Sequence, residues 1–187
     1  LAGLSAIQRC SSTLAQDGRP GSVALDWPDR FCLDGQRLRL TFGVYGQAGS
    51  QYQTESETFA RVTAIGTAGA GPAGFRVEGH DGLVHEYGMT LDARVESAGS
   101  STPREWALNR IRDRSGNYAD FVYAEDPVIG SHRPLRIDYA GNTQTGAVPY
   151  YSVRFSYEAR PAGELQARYF AGGIVSESTR LDRIDVV

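Results

Sequence analysis

Lysine is missing from this sequence, and all 19 basic residues are arginine. A phosphate loop of the G-x-x-x-x-G-K-[ST] type needs a lysine ammonium and is excluded. Cysteine is almost as scarce: Cys10 and Cys32 are the only two. With no C-x-x-C, a zinc ribbon and thioredoxin-like chemistry are disfavoured, and two cysteines do not make a disulfide framework. The pair reads as two small buried apolar side chains. The alternative is a disulfide, worth about 3 kcal/mol in an oxidising compartment. No apolar run approaches the ~18 residues of a membrane-spanning helix. Positive charge in excess is lacking too: 22 acidic residues give a net charge of -3, which argues against a partner made of nucleic acid or acidic lipid.

What is present favours strands and turns. Hydrophobic residues make up 41% and charged residues 22%, so a folded chain is expected. Glycine (22), proline (8), tyrosine (10) and phenylalanine (7) outweigh a single methionine. Arg37 to Gly43, Thr58 to Ile65 and Tyr151 to Glu158 alternate polar and apolar residues, as half-buried strands do. Leu135 to Tyr139 and Thr179 to Val187 add two more, while Gly66 to Gly74 and Ser97 to Pro103 read as loops. One helical turn is expected near Ser5 to Leu14. The fold class is all-β, with consecutive antiparallel hairpins forming a curved sheet. The opening on Leu1 without a secretion signal, and the strand-like ending, lead us to expect that residues 1–187 are one β-rich segment of a larger protein.

Turn chemistry marks the hairpins. Phe75 to Gly79 and Val84 to Gly88 flank Asp81-Gly82, and Trp106 to Asp113 runs through Gly116-Asn117 into Tyr118 to Tyr123. Asp-Gly and Gly-Asn supply the left-handed backbone that tight turns need. Together with Leu135…Tyr139…Gly141-Asn142, these hairpins share one grammar, read here as a loose repeat that stacks hairpins into a continuous sheet.

Several strings resemble a known family. Gly3 to Cys10 and Asp29-Arg30-Phe31-Cys32-Leu33-Asp34-Gly35-Gln36-Arg37-Leu38 are similar to the SpvB-type amino-terminal region of Tc insecticidal toxin B components and related RHS/YD-repeat toxins. The Gly46…Tyr52-Gln53-Thr54-Glu55 stretch and the two hairpins above extend the similarity along nearly the whole chain. The resemblance implies a secreted bacterial toxin in which this segment contributes β-sheet to a hollow RHS/YD-type shell. The implied partners are the remaining shell, the toxic carboxy-terminal segment it encloses and other toxin-complex components.

Chemistry finds little support. An ADP-ribosyltransferase would need an Arg, a Ser-Thr-Ser strand and a Glu-x-Glu turn. Here Arg9 sits too close to Ser11-Ser12-Thr13, whose order is wrong, and Glu55-Ser56-Glu57 reads equally well as a solvated strand entry. His80, Asp81, His85 and Glu86 crowd one hairpin with zinc-suited donors. The odd spacing of the two histidines need not put them on one face. No G-x-S-x-G elbow accompanies the only three histidines, His80, His85 and His132. The tyrosines at 45, 52, 87, 123, 139, 150 and 151 suit a sugar-binding platform, but cross-strand packing explains them more simply. A carbohydrate- or protein-binding module is therefore the alternative function. No catalytic residue, cofactor or metal is expected.

The candidate residues are structural: Asp29, Arg30, Phe31, Gly35, Asp81, Gly82, Trp106, Asp113, Gly116 and Asn117. Asp29 and Arg30 are expected to brace a turn, with Phe31 and Leu33 pointing into the core and Asp34-Gly35 turning into the next strand. Trp106, Ile111, Phe121 and Tyr123 are expected to share one buried side of their hairpin.

Overall fold

The structure, a computed structural model, describes residues 4–187. It is almost entirely β. In chain order come β1 (Ala6–Cys10), the one-turn helix α1 (Leu14–Asp17), β2 (Arg30–Leu33), β3 (Gln36–Phe42), β4 (Gln51–Thr54), β5 (Arg61–Ile65), β6 (Gly74–Glu78) and β7 (Val84–Tyr87). After a 3₁₀ turn at Leu91–Ala93 follow β8 (Arg94–Glu96), β9 (Pro103–Arg112), β10 (Asn117–Asp126), β11 (Ser131–Asn142) and β12 (Tyr151–Ala159). The hairpin of β13 (Gln166–Phe170) and β14 (Gly173–Glu177) precedes β15 (Thr179–Val186).

Seven strands, β1 to β7, each pair antiparallel with the next, β7 pairs with β9, and β9 returns to β1 through Ile7 opposite Trp106. The ring of eight strands is thereby closed into a barrel. Closure removes the sheet edges that would otherwise be exposed. Every barrel strand sends at least one side chain inward: Ile7, Phe31, Leu38, Tyr52, Val62, Phe75, Tyr87 and Trp106 are all buried in one cluster. Trp106 lies at its centre. Its ring meets Phe75 and Phe31 edge-on, at centroid distances of 4.9 and 5.3 Å, and its indole N–H donates to the Pro72 carbonyl at 3.0 Å. Gly88, at φ 66°, makes room for it: a Cβ there would stand 2.4 Å from Trp106 Cδ1.

Strand β9 is shared between two structures. β8 and then β7 run along one edge of it, while β1 and then β10 line the other. Beyond the barrel, β10, β11, β12 and β15 continue the sheet in hairpin succession. Bulges bend this extension, one of them at Ala140, which adopts φ 67°.

The all-β class and the hairpin succession match the sequence reading, and five local expectations are corrected. Residues 6–10 form a strand, because Ile7 and Arg9 both face the barrel, and the helical turn lies later, capped by the Thr13 hydroxyl. Cys10 and Cys32 form a disulfide across the neighbouring strands β1 and β2, with Cα atoms 6.0 Å apart. The two hairpin turns at Gly79–Leu83 and Asp113–Asn117 have the same hydrogen bonds, with only Gly82 and Gly116 at positive φ and not Asp81. The third unit departs from this pattern, since Gly141 sits inside β11 against the Tyr118 ring. Finally, Trp106, Ile111, Phe121 and Tyr123 do not share one cluster. Tyr123 packs with Ala93 and Ala107 on the far side of β9, and Phe121 touches both clusters.

Reducing the disulfide is expected to lower stability by about 3 kcal/mol, because it reopens a loop spanning 22 residues. Urea unfolding with and without reductant measures the difference.

Candidate functional site

The ion pair that closes one flank of the barrel begins with the parity of a short strand. On β1, Ile7 and Arg9 point inward, so a guanidinium enters where the pattern otherwise places apolar groups. The Arg9 side chain is fully buried, and each of its three nitrogens donates at least one hydrogen bond. Nε reaches the Pro103 carbonyl at 2.7 Å, Nη2 the Ala70 carbonyl at 2.7 Å, and Nη1 the Asp26 carbonyl at 2.7 Å and Asp29 Oδ2 at 3.0 Å. The guanidinium also lies 5.7 Å from the ring centres of both Phe31 and Trp106. Burial lowers the proton affinity of Arg9, and the Asp29 carboxylate partly offsets this. Asp29 in turn accepts from the Ala24 and Asp26 amides at 3.0 and 3.2 Å. One ion pair thus ties β1, the 24–29 loop, the Ala70 loop and the start of β9 together.

A second knot lies beside it. Asp17, at the end of α1, receives Arg30 Nε at 2.8 Å and Arg37 Nη1 at 2.9 Å. Burial would raise its carboxyl, but the Thr13 amide, Arg30 and Arg37 outweigh that and hold it below the usual carboxylate range. Arg30 also lies over the Tyr45 ring at 4.8 Å, and the Tyr45 hydroxyl accepts from the Phe31 amide at 2.7 Å.

The opposite mouth of the barrel holds a cavity of about 590 Å³, lined by Asp34, Thr54, His80, His85 and Tyr87 over an apolar floor. Ser5 bridges Asp34 (2.7 Å) and Tyr87 (2.8 Å). Burial pushes the Tyr87 hydroxyl up to about 12 and the His85 imidazole down. Among the described residues, no three His, Cys, Asp or Glu side chains come together as a metal-holding group.

The candidate residues fall into separate places. Asp29, Phe31 and Trp106 converge on Arg9, whereas Arg30 belongs to the Asp17 knot. Asp34 and Gly35, at φ 48° and 82°, form the β2–β3 turn. Asp81 and Gly82 occupy the β6–β7 turn, where Asp81 accepts from the Leu83 amide at 2.9 Å. Asp113, Gly116 and Asn117 occupy the β9–β10 turn, where Asp113 accepts from the Asn117 amide at 2.9 Å. Bonds donated by the Asn117 side chain and by the Asn117, Ser115 and Gly116 amides hold that carboxyl below its ordinary range. Sequence reasoning missed Arg9, Asp17 and Arg37 as structural centres. The available signal was Arg9 in step with Ile7, an inward charge that demands a buried partner.

No protein-family model matches this sequence, and no curated protein matches it at a significant level. Solved structures do match its fold. The N-terminal domain of effector protein SpvB from Salmonella typhimurium superposes with a TM-score of 0.75 at 16% identity, over 98% of this chain and 75% of that one. A TcdB2-TccC3-Cdc42 structure gives 0.74 at 15% identity, and the Photorhabdus luminescens Tc holotoxin pore gives 0.76 at 14%. Each of these covers 98% of this chain, which spans only 11% of the matched chain. A barrel closed by β9 and continued into an open sheet is therefore the fold this chain shares with the SpvB amino-terminal domain and with a region of the TcdB2-TccC3 toxin proteins.

Proposed function

We propose that this chain is a non-catalytic structural segment of a secreted bacterial toxin, contributing β-sheet to an RHS/YD-type shell around a toxic carboxy-terminal segment. The observation that carries this reading is the agreement of fold over 98% of the chain with the Tc holotoxin pore. The open end of the extension supports it. β15 pairs with β12 along one edge, and no described strand covers the other. Such an edge is a template for another strand. Ile184 and Val186, 48% and 69% exposed, offer apolar contact beside it. The Cys10–Cys32 disulfide suits an oxidising, extracellular setting.

A second reading has its own observation. Tyr150, 82% exposed, stands edge-on to Tyr151, which stacks on Tyr139 at 5.5 Å, so an aromatic surface suited to carbohydrate is present. The test is made in a parent toxin protein carrying this segment. Paired Ile184→Asp and Val186→Asp changes should expose an enclosed segment to protease, while the unaltered protein protects it. Protection that survives both changes would overturn the shell reading. Saturable retention on a glycan array, lost in Tyr150→Ala, would establish the binding module instead.

A further inference from the structure

We infer that the polar cavity between the barrel and the sheet extension is a binding site for a small phosphate-bearing molecule. The cavity measures about 330 Å³, and five arginines from separate segments enter it: Arg104 of β9, Arg133 of β11, Arg160 after β12, Arg168 of β13 and Arg180 of β15. Outside the cavity, half of the arginines have a carboxylate partner in contact, as in the Arg9–Asp29, Arg37–Asp17 and Arg110–Asp120 pairs. In the cavity this pairing is incomplete. Arg180 has Glu158 at 2.6 Å, and Arg168 has Glu177 at 3.4 Å.

The other three have less. The Arg104 side chain is only 14% exposed, yet its nearest carboxylate oxygen, on Glu105, is 4.0 Å away. Its hydrogen bonds are long, 3.5 Å to the Glu96 carbonyl and 3.4 Å to that of Gly130, and its guanidinium lies 5.6 Å from the Phe170 ring centre. Arg133 lies 5.2 Å from the Tyr157 ring centre, and Arg160 donates to the Thr179 carbonyl at 2.9 Å. Neither forms an ion pair among the described residues.

The surroundings sharpen this imbalance. Burial lowers the proton affinity of Arg104, and the nearby Arg168 charge lowers it further, against the pull of Glu105, Glu177 and Glu125. Burial also raises the Glu105 carboxyl, which makes its charge easier to give up. His132 on the wall is pushed down to about 4 by burial and is neutral near pH 7. A concave, partly desolvated site with incompletely paired guanidinium groups attracts an anion strongly. The number of forks decides which anion. A carboxylate's two oxygens are filled by one or two guanidinium groups, whereas a phosphate's oxygens can receive forks from three directions. The volume leaves room for a sugar-sized body beside the phosphate.

Isothermal titration calorimetry on the 187-residue chain tests this, with inorganic phosphate and ribose 5-phosphate as ligands and ionic strength held constant with chloride. Both should bind saturably, ribose 5-phosphate more tightly. Ribose should give no heat, and acetate should bind about tenfold more weakly. Arg133→Gln and Arg168→Gln should each weaken phosphate binding about tenfold, with Arg39→Gln, on β3 outside the cavity, as the unaffected control. The Arg168 side chain is 74% exposed, so that variant keeps its fold and its melting temperature. No saturable heat from either phosphate compound would overturn the proposal. So would equal binding of acetate and phosphate, or full affinity in Arg168→Gln.

Discussion

Trp106→Ala should lower the unfolding free energy by about 3–5 kcal/mol. The ring is completely buried, and it touches Phe31 and Phe75 from two different barrel strands. Its removal leaves a cavity that a closed ring of eight paired strands cannot easily collapse around. It also strips the Pro72 carbonyl of its donor. Chemical denaturation measures the change, with an unaltered m-value showing that the unfolded state is the same. A normally melting Trp106→Ala protein would mean that this face is open, and a binding surface would then be the better reading of the barrel.

Asp29→Ala should cost a comparable amount, about 3–5 kcal/mol, because it leaves the Arg9 guanidinium buried without its counter-charge. The reverse change should be milder. Arg9→Met leaves Asp29 with two backbone donors, the Ala24 and Asp26 amides, and fills much of the same space. A double-mutant cycle with Arg9→Met and Asp29→Ala separates these contributions. If Asp29→Ala proved no worse than Arg9→Met, the pair would not be what holds this flank together.

The parts of this fold that were legible in the sequence are those governed by local chemistry. Period-two alternation marks β3, β5 and β12, and the spacing of Asp and Gly marks both Gly-centred turns. Barrel closure leaves no such trace, since it depends on Ile7 meeting Trp106 far along the chain. Short strands such as β8, with only Arg94, Val95 and Glu96, carry too few residues to show a period. The four-residue core face held only in part. A bulge on β9, where Glu86 faces Arg110 but Tyr87 faces Leu108, brings Ile111 to the Trp106 side, whereas Tyr123 of β10 packs against Ala93 and Ala107 in a separate cluster. At the Arg9 flank the sequence singled out Asp29 and Phe31 but not their shared partner. An arginine in a strand looks like a surface residue until its neighbours in space are known.

The long-range pairing of β1 with β9 also has a bearing on how the chain is made. As a nascent polypeptide leaves the ribosome, β1 can take up β2 on one edge almost at once, and Cys10 comes within reach of Cys32. Its other edge has to wait for Trp106, about a hundred residues further on. At synthesis rates of about 5–20 residues per second, that is roughly 5–20 s during which an incomplete barrel presents unpaired backbone to its surroundings. Once the Cys10–Cys32 disulfide forms in an oxidising compartment, it holds β1 on β2 while the distant β9 edge is found, so a chain folding there has one pairing fewer to search for.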